Sequence, residues 1–175
     1  MANMRGTICR GPGRGFTLVE MLVVVLIMGL LVGLVSVITR PDARGLLRIE
    51  AERLAQLIDL AGSEASLTGK TIGWTANGPS YGFWRFREDS GWSEIRDNDL
   101  LRERTLPAGM TISALQVENM RAQGAMRLEF APYAPPLFFT IELSFGEEHY
   151  AVVATAGGIV RALAGDGQSY GAPAL

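Results

Sequence analysis

The apolar residues of this chain change their period twice. From Phe16 to Ile38 they run almost unbroken, FTLVEMLVVVLIMGLLVGLVSVI, with Thr17, Glu20 and Ser36 as the only polar side chains. At about 1.5 Å per residue such a helix measures roughly 35 Å, enough to cross a hydrocarbon core of about 30 Å. Pro41-Asp42 then opens a second helical stretch, in which Leu47, Ala51, Leu54, Ile58, Ala61 and Ala65 recur at steps of four and three. They form one apolar face, with Arg48, Glu50, Glu52, Arg53 and Asp59 on the others, so an amphipathic continuation over 39–69 is predicted to pack on a sheet and end near Gly69. Pro41 is expected to bend the path between the two helical stretches.

After Gly69 the period becomes two. Thr71 to Ala76 and Ser80 to Phe86 read as strands around the turn triplet Asn77-Gly78-Pro79. Met126, Leu128 and Phe130 alternate with Arg127 and Glu129, and Phe139, Ile141, Leu143 and Phe145 alternate with Thr140, Glu142 and Ser144. These are half-buried strands with one wet face. Gly146-Glu147-Glu148 and Gly157-Gly158 set off Tyr150 to Ala154 and Ile159 to Leu163, the pattern of an antiparallel meander. The fold class is α+β: a long N-terminal helix, its first half membrane-spanning, packed through its second half on an antiparallel β-sheet head over 70–163. The tail 164–175 has little to bury and is expected to be mobile.

Composition and charge sharpen the organisation. The 175 residues suit one compact domain plus one anchor, and the 48% apolar content is inflated by the N-terminal run. Residues 1–15 carry Arg5, Arg10 and Arg14 and no acid, which leaves the rest of the chain with 13 basic and 18 acidic side chains, a net charge of −5. Leader arginines ahead of an apolar run favour a cytoplasmic N-terminus and place the chain after Ile38 beyond the inner membrane; Arg40, Arg44 and Arg48 weaken that bias without reversing it. The acidic remainder lacks the basic footprint of a protein that grips nucleic acid or anionic lipid by charge. The run is longer than a secretory signal core and has no small-x-small cleavage site after it. Cys9, the lone cysteine, lies in the leader and forms no internal bridge.

Glu20 is the odd residue. An ionised carboxylate in the apolar region of a bilayer costs on the order of 3 kcal/mol on insertion scales, so such a group usually has a partner. Two readings stay open: a glutamate close enough to the interface to reach water, or one met by a positive group on a neighbouring subunit.

The residues Arg14-Gly15-Phe16-Thr17-Leu18-Val19-Glu20, at the boundary between a basic leader and a membrane run, resemble the type IV prepilin processing site shared by pilins and the pseudopilins of type II secretion. The resemblance implies cleavage after Gly15 by a prepilin peptidase and methylation of the new N-terminal residue, Phe16. Glu20 then falls fifth in the mature chain, where the family places its glutamate, and the freed amine of Phe16 on one subunit is implied to meet Glu20 of another during assembly. Gly29 and Gly33, four apart, permit close helix approach or are simply tolerated in a membrane helix. Main-body subunits usually carry a proline at the position of Val37, which argues against the major filament subunit.

Further along, LLRIEAERLAQLIDLAGSEASLTGKTIGW resembles the helix-to-first-strand region of the H-type pseudopilins and of FimT-type minor pilins. Tyr81-Gly-Phe-Trp-Arg-Phe86, Trp92 and DLLRERTLPAG from Asp99 favour the H-type. The resemblance covers roughly residues 11–110 and implies a pilin-like fold and a structural function: a minor pseudopilin near the tip of a periplasmic pseudopilus that drives export of folded proteins across the outer membrane. The implied partners are the major pseudopilin, the minor tip subunits, the prepilin peptidase and the inner membrane, with no nucleic acid. The alternative is a FimT-type minor pilin that binds DNA for uptake, against which the acidic mature charge counts.

Catalytic chemistry finds no constellation. His149, the single histidine, is flanked by Glu147 and Glu148 at a hairpin and reads as a solvated strand-end residue rather than a dyad or ligand. No serine sits in a nucleophile elbow, no cysteine survives processing, and Gly165-Asp166-Gly167 lacks the spaced carboxylates of a calcium loop. No catalytic residue, metal or cofactor is expected. Trp74, Trp84, Trp92, Tyr81, Phe83 and Phe86 are expected mainly in core and cross-strand packing, with one or two free to anchor a partner. Arg85, Arg87, Arg102 and Arg104 are expected on solvated strand faces.

Overall fold

The structure, a computed structural model, describes residues 16–38, 42–155 and 157–167, with side chains of the first helix described as far as Gly33. The chain divides into two compact units, Met1–Pro41 and Asp42–Leu175.

The first unit holds α1, Leu18–Ile38. Thr17 caps it: the Glu20 amide donates to Thr17 Oγ1 at 3.2 Å and to the Thr17 carbonyl at 3.1 Å. This satisfies one of the amide donors that a helix start leaves without an intrahelical partner. α1 has apolar residues on every side, the signature of a helix meant for apolar surroundings. Counted over the described residues, no helix is long and apolar enough to cross a membrane. In α1 the described side chains stop at Gly33, short of its end at Ile38.

The second unit opens with α2, Ala43–Thr68. Asp42 is its N-cap and accepts from the Gly45 amide at 3.1 Å. Gly69 ends it at φ 68°, returning its amide to the Ala65 carbonyl at 3.0 Å, a left-handed cap that glycine adopts without a Cβ clash. Leu47, Ala51, Leu54, Ile58, Ala61 and Ala65 are all buried, with Ala55 and Leu57 widening the stripe.

The strands are β1 (Ile72–Asn77), β2 (Ser80–Arg87), β3 (Gly91–Glu94), β4 (Arg104–Thr105), β5 (Met110–Val117), β6 (Met120–Arg121), β7 (Met126–Phe130), β8 (Phe139–Phe145), β9 (Glu148–Ala154) and β10 (Val160–Ala164). They build two antiparallel sheets rather than one. The first runs β3-β2-β1-β7 with β4 also on β2, and the second runs β10-β9-β8-β5-β6. The meander anticipated from the glycine pairs is β8-β9-β10. Met126–Phe130, which precedes it in sequence, instead crosses back to pair with β1, Trp74 opposite Leu128.

One core serves both sheets. α2 lies against β8, β9 and β10 and also against β1 and β7. Its stripe meets Ile72, Trp74 and Leu128 of the first sheet and Leu115, Ile141 and Val152 of the second, all within one cluster. The Ile112 amide bonds to the Gly78 carbonyl at 2.9 Å and ties the β1-β2 turn to β5. In the tail, expected to have little to bury, Ala164, Gly165 and Asp166 are exposed and Gly167 is not. That residue is buried over the outer side of the second sheet, where a Cβ would come 2.7 Å from that of Ala151 and 3.0 Å from Thr140 Cγ2. Residues 168–175 lie outside the described residues.

Candidate assembly site

Of the residues with a predicted role in processing and assembly, Phe16 and Glu20 lie at the start of α1. Gly15 lies outside the described residues. Phe16 is 74% exposed, an aromatic side chain with almost no cover from its own chain. Glu20 sits exposed in the first turn of α1, where the amide end of the helix favours a negative charge. No cation among the described residues is paired with it. Gly29 and Gly33 have nothing of their own chain within 4 Å of where a Cβ would stand.

In the second unit the exposed outer side of the first sheet carries Trp84, Phe86 and Trp92. Trp92 packs edge-on against Phe86, 5.4 Å between ring centroids, with the Arg127 guanidinium 4.3 Å over its ring. Arg127 is also held by Glu129 at 2.9 Å. Trp84 Nε1 donates to Thr75 Oγ1 at 2.9 Å. Trp74, Tyr81 and Phe83 point the other way and are buried. The aromatics thus divide between the two faces.

Arg85 departs from the expectation of a solvated strand face. It is in phase with Tyr81 and Phe83 on β2, so its side chain turns toward α2 and only 6% of the residue is exposed. Two acids meet it there: Glu64 on α2 at 2.5 Å and Asp97 at 2.7 Å. Asn98 donates to the second Glu64 oxygen at 2.8 Å and accepts from the Leu100 amide at 3.0 Å. The hydrogen bond from Arg85 is the main reason that the Asp97 carboxyl is held below the usual aspartate range, and the same bond raises the guanidinium pKa. Sequence reasoning missed this network, although Glu64 borders the α2 stripe and Arg85 shares the phase of Phe83. Arg102 pairs with Asp99 at 2.5 Å.

His149 is exposed on β9 opposite Ser144, next in the chain to Glu147 and Glu148. Among the described residues no group of three or more metal-ligating side chains comes together. An open groove of about 560 Å³ between α2 and the loop 131–138 is lined by Ile58, Leu67, Phe130, Pro135, Pro136 and Val160, with Asp59 and Glu129 at its wall. Ser63 and Ser66 of α2 add hydroxyls to this mixed lining.

A capped apolar helix, followed by an amphipathic helix laid on a two-sheet antiparallel head, defines a pilin-like subunit. Residues 13–36 match the prokaryotic N-terminal methylation motif, and residues 50–158 match the family of the type II transport protein GspH. The chain belongs to the GspH family and is a minor pseudopilin of type II secretion, which favours that reading over a DNA-binding minor pilin. Two solved structures of the minor pseudopilin EpsH from the type II secretion system of Vibrio cholerae share the fold. One superposes with a TM-score of 0.60 at 20% identity, covering 70% of this chain and 96% of that one. The other gives 0.56 at 22% identity, covering 67% and 96%. No curated protein matches the sequence. The family is one of structural subunits; it implies inner-membrane anchoring, a periplasmic head, assembly with other pseudopilins and processing by a prepilin peptidase.

Proposed function

We propose that the chain is made as a precursor with leader 1–15, cut after Gly15, methylated on Phe16 and held in the inner membrane by residues 16–38 until it joins a pseudopilus near its tip. Residues 39–69 then continue the helix and 70–163 form the periplasmic head, beyond a cytoplasmic N-terminus. One observation carries this reading: the methylation motif over 13–36 and the GspH family match over 50–158 lie in that order on one chain. In the assembled filament the Phe16 amine of this subunit or a neighbour pairs with Glu20 of the next. Removing the leader creates that amine, so processing and charge compensation become one event: only a cut subunit carries the cation that a carboxylate in an apolar layer requires. The head contributes contact with neighbouring minor subunits rather than catalysis.

Glu20→Gln tests the assembly contact. It keeps the size of the side chain and removes the charge, so the expected result is a stable, processed, membrane-held subunit that is not incorporated into pseudopili and does not support secretion. Normal incorporation and secretion with Glu20→Gln would overturn the pairing of Phe16 with Glu20.

A further inference from the structure

Beside α2, at the edge of the first sheet, two buried donors have nothing to donate to. Tyr81 on β2 is 2% exposed and its hydroxyl has no partner; Arg104, its cross-strand neighbour on β4, has its Nε buried and unpartnered as well. Both line an open recess of about 290 Å³ together with Leu106 and Pro107, bordered on the α2 side by Glu50 and Arg53. The loop is held in place, since the Leu106 amide donates to the Pro79 carbonyl at 2.8 Å. A desolvated donor without an acceptor costs roughly 1–3 kcal/mol, and more when it is charged. Two such donors side by side call for an occupant.

Charge decides which kind. Arg53 is compensated by Glu50 at 2.8 Å, whereas Arg104 forms no ion pair among the described residues. The recess therefore holds one uncompensated positive charge. Water would satisfy the hydrogen bonds and leave that charge standing; a monoanion with two acceptor oxygens satisfies both. A planar carboxylate also matches the fork of a guanidinium better than a spherical ion does. Burial pushes the Tyr81 hydroxyl up to about 12, so it is a donor throughout the ordinary pH range.

We propose that the recess between Tyr81 and Arg104 is a carboxylate-binding site, bound through the Arg104 guanidinium and the Tyr81 hydroxyl. The carboxylate comes either from a free small acid or from an Asp or Glu side chain of a neighbouring pseudopilin. Only the second source rests on the assembly reading given above.

The test uses the full chain in detergent micelles. Sodium acetate is exchanged for chloride at constant ionic strength while the Arg104 Nε–H resonance is followed. For a free acid, the resonance shifts saturably with a midpoint on the order of 1 mM. Tyr81→Phe weakens binding about tenfold, and Arg104→Lys, which keeps the charge but not the fork, weakens it as well. For a neighbour's side chain, the resonance shifts instead on co-assembly with other pseudopilins, and Arg104→Ala lowers their co-purification at least fivefold. A resonance that neither acetate nor co-assembly moves overturns the site. So does Tyr81→Phe leaving both responses at wild-type strength. If wild-type chain recruits no pseudopilins at all, the assembly reading fails while the acetate measurement still decides the site.

Discussion

Arg85 Nη2 lies 2.5 Å from Glu64 Oε1 and so fastens the middle of β2 to the last turns of α2. The same guanidinium holds Asp97 at 2.7 Å through its other terminal nitrogen, which fixes the segment after β3 against the helix. The Glu64 side chain is 16% exposed, against 65% for Asp97, so the two bonds differ in kind. With Glu64 both charges are largely out of water and each depends on the other. With Asp97 one partner remains hydrated.

Arg85→Ala is therefore expected to cost about 2–4 kcal/mol, because it strands Glu64 against the core with only Asn98 beside it. Replacing both residues, Arg85→Met with Glu64→Leu, is expected to recover most of that loss, since no unpaired charge then remains buried. Denaturant unfolding of the four proteins in a double-mutant cycle measures both. A double variant as weak as Arg85→Ala would show that the cost lies in packing rather than in the stranded carboxylate.

Asp97 gives this junction an acid limit. Its folded-state pKa lies below the unfolded value, chiefly through the hydrogen bond from Arg85. A group shifted in that direction contributes stability that is fully present above the unfolded value, about 3.9, and is lost as pH falls through the folded one. Thermal melting followed from pH 6 downward is expected to stay level until about pH 4 and then fall. In Asp97→Asn the acid fall should be shallower and the plateau lower; an unchanged acid slope would remove Asp97 from the cause.

How much of this was legible beforehand depended on how local the signal was. The stripe Leu47-Ala51-Leu54-Ile58-Ala61-Ala65 and the Gly69 cap are properties of one helix, so the period alone revealed them. The alternation of β7 and β8 survives for the same reason. β5 was missed because its pairing with β8 shifts register between Ile112 and Ala114, which buries Ala114 and Leu115 in succession and breaks the period of two. The division into two sheets was also hidden: it turns on β7 pairing with β1 across some fifty residues, which no local pattern encodes. Arg85 was misplaced since β2 carries aromatics on both faces, so the strand shows no wet side from which to read its phase. The start of α1 is the reverse case, where the processing motif was visible in the letters and the fold adds only the exposure of Phe16 and Glu20.

Gly73 is the seat of the outer aromatic cluster. A Cβ there would stand 2.7 Å from Trp92 Cζ3 and 3.0 Å from its Cη2, inside any tolerable contact with a ring that Phe86 and Arg127 hold on either side. Gly73→Ala is expected to displace Trp92, uncouple it from Phe86 and destabilise the head by about 1–3 kcal/mol. The near-ultraviolet circular dichroism of the coupled rings should shrink while the far-ultraviolet signal of α2 persists. If the ring signal is retained, Trp92 has another seat and the cluster is not organised by Gly73.

The N-terminus carries the prediction on which the functional reading most depends. The proposed cleavage after Gly15 would remove Arg5, Arg10, Arg14 and Cys9 together, and with them the only thiol of the sequence and three positive charges. Intact-mass spectrometry of chain made beside an active prepilin peptidase is expected to show a protein that begins at Phe16 and is one methyl group heavier than that sequence. Gly15→Leu, which places a bulky side chain at the cut, should leave a full-length precursor that still reacts with a thiol reagent through Cys9. An uncut wild-type chain would leave Glu20 without the Phe16 amine proposed to meet it, and the coupling of processing to assembly would have to be abandoned even with the family and the fold unchanged.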